Sequence, residues 1–346
     1  MSAAPRPARR APEDLVEVPA ALASMRRYAL DGALLLFDRR TGLTAVCDGP
    51  ETAALRMRAP RVVQFAITNA CNLACAFCSR DPDASSAWTA DEAFETLRGL
   101  SERGALEVAF GGGEPLAFKG FAALARRLYE ETELAVSLTT NGALLTDAAL
   151  GALAPVVGQV RLSVYDDLDH RPIVARLARS RARFGVNWLV TPARLPAVEA
   201  AVLDLYARGC RDALLLAYNG RDASMHLSRS DSDALAERVR ALSLALRGRM
   251  AIKLDVCWGE RMERVPRLFD AASCPAGREF IVLTSDKRVS PCSFHHASFA
   301  AGSADEVMRV WDLHRAALAS PAADPGCARV ADFGLGGARR RLPQTG

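Results

Sequence analysis

Residues 61–78 read RVVQFAITNACNLACAFC, an apolar run that passes directly into a loop with three cysteines. The run 62–68 predicts a strand. Cys71, Cys75 and Cys78 follow it with C-x3-C-x2-C spacing, which places three thiols on one tight loop at the carboxyl end of that strand. Three thiolates without a local fourth ligand favour an iron–sulfur cluster with one open iron. The alternative is a structural zinc site completed by a distant ligand, although such sites usually contain paired C-x2-C halves.

Strand-like and helix-like segments alternate after this loop. Further strands are predicted at 106–112, 134–140, 159–165, 186–190 and 213–218. Helices are predicted at about 89–103, 119–131, 146–154, 170–183, 195–208 and 230–247, and Thr89 with Glu92 forms a capping box at the start of the first. Six βα units in a row predict a parallel sheet with right-handed crossovers. The expected fold class is therefore α/β, a partial (β/α)6 TIM-like barrel whose reactive groups lie at the carboxyl ends of the strands.

The segments on either side of this repeat have different patterns. We predict a β-hairpin at 33–48, followed by a short helix near Glu51–Arg58. After residue 250 the sequence predicts a strand at 251–257, a hairpin at 279–292 and a helix at about 304–318. The predicted organisation is a disordered tail (1–13), a short N-terminal β-hairpin segment (14–60), the barrel core (61–250), a small α+β cysteine-rich C-terminal extension (251–330) and a flexible tail (331–346).

The composition narrows the class of protein. Of 346 residues, 50% are hydrophobic and 24% are charged, and no uncharged apolar stretch is long enough to span a membrane. The net charge of +4 is scattered, whereas nucleic-acid binding calls for a concentrated basic patch. Nine cysteines without an export signal indicate a reducing compartment, which predicts a cytoplasmic metal or redox protein. Two of them, Cys47 and Cys210, lie in apolar runs without partner spacing and are predicted to be structural.

The cysteine loop resembles that of the radical S-adenosylmethionine (radical SAM) enzymes, and the resemblance extends over about 61–330. It implies that Cys71, Cys75 and Cys78 hold a [4Fe–4S] cluster whose open iron binds the amino and carboxylate groups of SAM. It also implies reductive cleavage of SAM to methionine and a 5′-deoxyadenosyl radical, which takes a hydrogen atom from the substrate. A one-electron reductant such as flavodoxin or ferredoxin would be a partner.

Three further motifs match the family, and together with the cysteine loop they imply residues that contact SAM. Gly111-Gly112-Gly113-Glu114-Pro115 ends the second strand and resembles the family's GGEP motif, which binds the SAM amino group. Thr139-Thr140-Asn141-Gly142 and RLSVYDD end the third and fourth strands. The implied contacts are Phe77 near the adenine, then Gly112, Gly113, Glu114, Asn141 and Ser163.

The fourth strand departs from the pattern of many relatives, which have Ser-Leu-Asp-Gly where this chain has Ser163-Val-Tyr-Asp166. The acidic residues after Ser163 equally suit a solvated loop and a helix N-terminus. A base for the step after hydrogen abstraction could be any of several groups at or near strand ends, and the sequence does not choose among them. These are Asp166, Asp167, His170, Tyr218 and Asp255.

The late cysteines form a second group. Cys274 opens the predicted hairpin of 279–292 and Cys292 ends it, so the two thiols should lie close together. This layout resembles the SPASM and twitch extensions of radical SAM enzymes and implies one auxiliary [4Fe–4S] cluster, with Cys327 and Cys257 as the further ligands. For Cys257 a buried apolar role is an equal alternative.

Relatives with such extensions mostly modify ribosomally made peptides, and others oxidise small molecules. We therefore expect an oxidative modification, a crosslink or a dehydrogenation, of a ribosomally synthesised peptide. The alternative is dehydrogenation of a small molecule such as an aminocyclitol or sugar. A non-catalytic iron–sulfur electron carrier is a third hypothesis, but a carrier would not need six βα units or a glycine loop.

Overall fold

The computed structural model describes residues 11–78, 80–81, 83–166, 168–220, 222–261, 274–295 and 297–318. The chain divides into two compact units, Met1–Ala59 and Pro60–Gly346. Within the described ranges, every helix is too short or too polar to cross a bilayer.

The first unit contains an antiparallel sheet of three strands. They are β1 (Arg26–Ala29), β2 (Ala33–Phe37) and β3 (Thr44–Asp48), in the order β1-β2-β3. β2 and β3 form the predicted hairpin, whereas β1 was not predicted. In place of the predicted helix near Glu51–Arg58, the chain makes turns in which Thr52 N donates to Gly49 O and Leu55 N donates to Thr52 O.

The second unit is built on a ten-stranded sheet of order β10-β9-β8-β7-β6-β5-β4-β11-β12-β13. Its strands are β4 (Val62–Thr68), β5 (Glu107–Gly112), β6 (Ala135–Thr140), β7 (Gln159–Val164), β8 (Phe184–Val190), β9 (Asp212–Ala217), β10 (Ala251–Leu254), β11 (Phe280–Leu283), β12 (Arg288–Ser290) and β13 (Phe299–Ala300). Its helices are α1 (Ala90–Glu102), α2 (Phe121–Glu131), α3 (Asp147–Leu153), α4 (Arg171–Arg179), α5 (Val198–Ala207), α6 (Arg229–Leu246) and α7 (Ala304–Leu318).

The six predicted βα units are present from β4 to α6, and the α/β partial-barrel fold class is confirmed. β4 through β9 pair in parallel in sequence order, as successive βα units predict. The predicted capping box starts α1, since the Thr89 side chain accepts from the Glu92 backbone N–H and the Glu92 side chain accepts from the Thr89 N–H.

The two faces of the sheet differ in chemistry because successive side chains of a strand point to opposite faces. On the outer face, the rings of Phe65 and Phe110 stack at 5.6 Å, and Phe110 contacts Phe121 of α2 at 5.1 Å. On the inner face, the Ser137 hydroxyl donates to the Glu107 carboxylate. The apolar core therefore lies between sheet and helices, and the inner face is polar.

An ion network continues across this inner face. Asp212 accepts from Arg161 at 3.0 Å and from Lys253 at 2.7 Å, and Arg161 also donates to Asn187. Burial alone would raise the pKa of Asp212, but Arg161 and Lys253 together hold that pKa below its usual value. A single carboxylate thus forms ion pairs with two cations inside the partial barrel.

The C-terminal segment adds strands to both edges of the parallel sheet. β10 pairs in parallel with β9, while β11 pairs in parallel with β4 at the other edge. β11 and β12 form the predicted hairpin, and α7 covers the predicted helix of about 304–318. The domain boundary at residue 250 stays a prediction, and the sheet itself is continuous across it.

Candidate active site

The three-cysteine loop leaves the carboxyl end of β4 and is held by its neighbours. Asn69, which is buried, donates from Nδ2 to Asp81 O at 2.9 Å, and its own carbonyl accepts from the Arg80 guanidinium at 2.5 Å. Within the loop, Cys78 N donates to Cys75 O at 3.1 Å and Leu73 N donates to Cys71 Sγ at 3.4 Å. The chain's own hydrogen bonds thus fix the two ends of the loop to one another.

The glycine loop lies against the start of the cysteine loop. Gly113 N donates to Thr68 O and Glu114 N donates to Ala70 O, each at 2.8 Å. A Cβ on Gly113 would come within 2.1 Å of Ala70 O, so only glycine permits this approach. Gly112 has φ of +108°, a conformation that residues with a side chain rarely adopt.

Glu114 joins the glycine loop to the loop after β6. The residue is 1% exposed, and its carboxylate accepts from the Thr140 hydroxyl at 2.8 Å, from Asn141 N at 2.9 Å and from Leu116 N at 3.1 Å. Burial raises the pKa of Glu114, and these hydrogen bonds oppose the rise. Both carboxylate oxygens therefore bind protein donors, and the predicted contact of Glu114 with the SAM ammonium stays a prediction.

Asn141 reaches the cysteine loop. Its Nδ2 donates to Asn72 Oδ1 at 2.9 Å and lies 4.0 Å from Cys71 Sγ. The structure thus brings the predicted residues of the first three strands, Cys71, Gly113, Glu114 and Asn141, into one connected group.

A residue that the sequence analysis missed, Tyr165, joins the group from the position immediately after β7. Its ring contacts the ring of Phe77, with centroids 5.3 Å apart, and its hydroxyl shares a hydrogen bond with Ser163. The available signal was its position, because Tyr165 stands where relatives with Ser-Leu-Asp-Gly have aspartate. The predicted roles of Phe77 near the adenine and of Ser163 as a SAM contact stay predictions.

Among the candidate bases, several side chains already have structural partners. Asp166 is exposed and forms an ion pair with Arg194 at 3.1 Å. Asp255 accepts from Ala217 N and from Cys257 N, and the Tyr218 hydroxyl accepts from Asp222 N. Burial lowers the pKa of His170, so this half-buried imidazole is neutral at neutral pH. Asp167 lies outside the described residues.

The late cysteines occupy two different ends of the sheet. β11 runs parallel to β4 and Glu279 O accepts from Val62 N, so Cys274 precedes the strand at its amino end. β12 returns antiparallel, which brings Cys292 to the same end. Cys257 follows β10 at the carboxyl end, next to Trp258, whose Nε1 donates to Leu215 O.

The expected proximity of Cys274 and Cys292 therefore agrees with the topology, whereas Cys257 lies at the opposite end of the strands. The assignment of all these cysteines to one cluster stays a prediction, and Cys327 lies outside the described residues. Cys210 is buried, its Sγ donates to Asp212 O at 3.3 Å, and burial raises the pKa of its thiol, which suits the structural role predicted for it.

The donor set of the cysteine loop suits an iron–sulfur cluster. Cys71 and Cys75 are half-buried and Cys78 is exposed, so the loop is accessible from solvent. In the described part of the chain, no three Cys, His, Asp or Glu side chains converge on a single metal ion. Each thiolate of a [4Fe–4S] cluster binds a different iron, so cluster ligands need no such convergence.

Comparison with known proteins agrees with this geometry. Residues 65–183, which include the cysteine loop, the glycine loop, Asn141 and Ser163, match the model of the Radical SAM superfamily. The chain carries a radical SAM domain. The cofactors of this domain are a [4Fe–4S] cluster and SAM, as the sequence predicted.

Two curated relatives match parts of the chain. A probable GTP 3′,8-cyclase of Methanopyrus kandleri is 39% identical over 131 residues, 36% of this chain and 40% of the relative. The PqqA peptide cyclase of Bradyrhizobium diazoefficiens is 36% identical over 98 residues, 28% of this chain and 26% of the relative. The chain thus spans less than half the length of these relatives.

The solved structures extend the likeness of fold beyond the radical SAM domain. Streptococcus suis SuiB bound to its precursor peptide SuiA has a TM-score of 0.60 at 16% identity, over 74% of this chain and 65% of SuiB. SuiB has also been solved with S-adenosylmethionine, with a TM-score of 0.61. At such identity the match establishes a shared fold.

Proposed function

We propose that this protein is a radical SAM enzyme that catalyses an oxidative modification, a crosslink or dehydrogenation, of a ribosomally synthesised peptide. The observation that carries the proposal is the grouping of three thiols at the end of β4 with the glycine loop after β5 and Asn141 after β6. A second group of thiols in the C-terminal hairpin supports the oxidative outcome.

The roles of the chain's own residues follow from this arrangement. Cys71, Cys75 and Cys78 would hold the cluster, and the Gly112–Glu114 loop would present backbone groups to SAM. The Glu114 carboxylate accepts from the backbone N–H of Asn141 and so orients this residue, which keeps the asparagine amide beside Cys71. When bound, the reduced cluster supplies one electron that splits SAM into methionine and a 5′-deoxyadenosyl radical, which removes a hydrogen atom from the substrate. The electron would come from a small reductant such as flavodoxin or ferredoxin.

An oxidative outcome requires a place for a second electron. Cys274 and Cys292, at the amino end of β11, would hold an auxiliary cluster that accepts the electron of the substrate radical. The product then lacks two hydrogen atoms, one taken by the 5′-deoxyadenosyl radical and one lost as a proton after the electron has left.

The substrate class rests on the relatives. The PqqA peptide cyclase and the peptide-bound SuiB structure support a peptide. The likeness to a GTP 3′,8-cyclase favours instead a small molecule, and this is the second candidate.

The first test counts iron and sulfide after anaerobic reconstitution. We expect about eight irons per chain in the wild type and about four when Cys71, Cys75 and Cys78 are all changed to Ala. The matched control is Cys47→Ala, a half-buried cysteine of the first unit, which should keep all the iron. Formation of 5′-deoxyadenosine from SAM and dithionite should be lost in the triple variant alone. Four irons in the wild type and none in the triple variant would remove the auxiliary cluster from the proposal.

The second test separates the substrates. The enzyme would be co-expressed with a short peptide encoded beside its gene, and the peptide analysed by mass spectrometry. Loss of two hydrogens per modified site, absent in the triple variant, supports peptide maturation. The opposite result would be an unmodified peptide and 5′-deoxyadenosine formation that is stimulated by an aminocyclitol, a sugar or GTP. This result would replace the peptide with the second candidate, a small-molecule substrate.

A further inference from the structure

His226 lies in the loop between β9 and α6, at the carboxyl end of the parallel strands. Its ring meets the ring of Tyr218 edge-on, with centroids 5.0 Å apart and planes at 66°. Tyr218 directly follows β9, and alternation along the strand places it on the inner face with Asp212. Because β4 through β9 are parallel, this end of the sheet also carries the cysteine loop. The contact with Tyr218 thus places His226 beside the inner face at the end where reactive groups of such folds lie.

The loop around this histidine is held by its own contacts. His226 N donates to Ala223 O at 3.3 Å. Asp222 N donates to the Tyr218 hydroxyl, also at 3.3 Å. A Cβ on Gly220 would come within 1.9 Å of the same hydroxyl, so the loop passes closely over the phenol. The imidazole is half-buried, and a proton that it accepts can therefore pass on to water.

The hydrogen bond of the His226 ring decides which of its nitrogens can act as a base. Nε2 lies 2.9 Å from Gly220 O. A carbonyl oxygen only accepts, so Nε2 carries the hydrogen, and in the neutral ring Nδ1 is the unprotonated nitrogen. Within the part of the chain that the structure describes, Nδ1 has no hydrogen-bond partner. Protonation of Nδ1 would therefore leave the bond to Gly220 intact.

The groups that the sequence suggested as bases are engaged differently. Asp166 is paired with Arg194, and Asp255 accepts from two backbone N–H groups. Burial lowers the pKa of His170, which makes that imidazole a weaker proton acceptor. His226, with its free Nδ1, is the better acceptor.

We propose that His226 is a catalytic base that takes a proton from the substrate through Nδ1, an inference that rests on the proposed function. After hydrogen-atom abstraction, the substrate radical gives its unpaired electron to an oxidised iron–sulfur cluster. The neighbouring C–H, N–H or O–H bond of the substrate then breaks. Its electron pair forms the new bond, and its proton passes to Nδ1 and from there to water.

The first test observes the imidazole itself, in the apoprotein and without substrate. The full chain would be labelled with ¹⁵N-histidine, and His226→Gln would assign the signals of this ring. The ¹⁵N shifts of the two ring nitrogens distinguish the neutral tautomers. At alkaline pH, where the ring is neutral, we expect His226 to carry its hydrogen on Nε2. A hydrogen on Nδ1 instead would overturn the inference.

The second test separates proton transfer from hydrogen abstraction. His226→Gln keeps an N–H donor for Gly220 O and removes the base. His314→Gln is the matched control, because that imidazole is also half-buried against an aromatic ring, that of Phe299 at 4.2 Å. The reconstituted enzymes would be given the peptide encoded beside the gene, and 5′-deoxyadenosine and modified peptide would be counted in each.

We expect His226→Gln to form 5′-deoxyadenosine as the wild type does, but about 100-fold less modified peptide per 5′-deoxyadenosine. His314→Gln should keep the ratio of the wild type. An unchanged ratio in His226→Gln would overturn the inference, and so would an equal loss of both products, which indicates a structural role. Failure of the proposed function looks different: the wild type itself would then form neither product, whatever tautomer the apoprotein shows.

Discussion

Replacing Gly113 with alanine should separate the glycine loop from the cysteine loop. The new Cβ would lie 2.1 Å from Ala70 O, and the nearest atoms are all backbone, which has no rotamer to change. Restoring an ordinary contact of 3.4 Å requires a shift of about 1.3 Å. That shift would break the hydrogen bond from Glu114 N to Ala70 O, now 2.8 Å long. Overpacking and the lost bond together should destabilise the apoprotein by about 2–4 kcal/mol.

The neighbouring Gly111 provides the control. A Cβ there meets no atom within 4 Å, and its φ is not positive, so Gly111→Ala should leave the stability unchanged within about 0.5 kcal/mol. Both variants and the wild type would be compared by urea unfolding of the apoprotein and by iron content after reconstitution. We expect Gly113→Ala alone to lose both stability and iron. Indistinguishable behaviour of the two alanine variants would refute the close-approach argument.

Three further predictions concern residues outside the cysteine loop. Burial raises the pKa of Glu107 above its usual 4.5, so the folded chain retains a proton there and stability falls as the pH rises through the raised pKa. Glu107→Gln should remove that decline when the free energy of unfolding of the apoprotein is measured from pH 4.5 upward. Equal slopes of this free energy against pH in the variant and the wild type would contradict the prediction. Asp212→Asn leaves Arg161 and Lys253 facing each other and should cost about 3–5 kcal/mol by urea unfolding. Adding Lys253→Met should recover part of this loss, and strictly additive effects would show that the pairs are not coupled. Thr89→Ala should cost about 1 kcal/mol through loss of the helix cap, whereas Thr89→Ser should cost much less, and equal thermal shifts would refute the capping role.

Local sequence signals predicted the elements around the site well. β4 has the predicted bounds of 62–68, because a continuous apolar run ends abruptly at the polar cysteine loop. α1 begins where Thr89 and Glu92 mark a capping box. These features depend on residues a few positions apart, and sequence patterns describe such short-range interactions directly.

The pairing of strands that are distant in the chain could not be predicted from the sequence. A strand was expected at 251–257 and is present as β10 (Ala251–Leu254). Its pairing with β9 was not expected, nor was the pairing of β11 with β4. The same limit applies to Glu114, whose sequence context suggests a ligand contact while its buried carboxylate binds Thr140 and Asn141. Burial and distant partners decide such roles, and neither leaves a local pattern.

The position of β4 within the sheet has a consequence for synthesis of the chain on the ribosome. Val62 pairs with Phe280, 218 positions later, so β4 has neighbours on both sides only after the C-terminal hairpin has emerged. Until then the strand that carries the cysteine loop has one unpaired edge, and exposed edges readily pair with other chains. A nascent or truncated chain that ends near residue 250 should thus be prone to aggregation. The last strands to be made protect the first strand of the barrel.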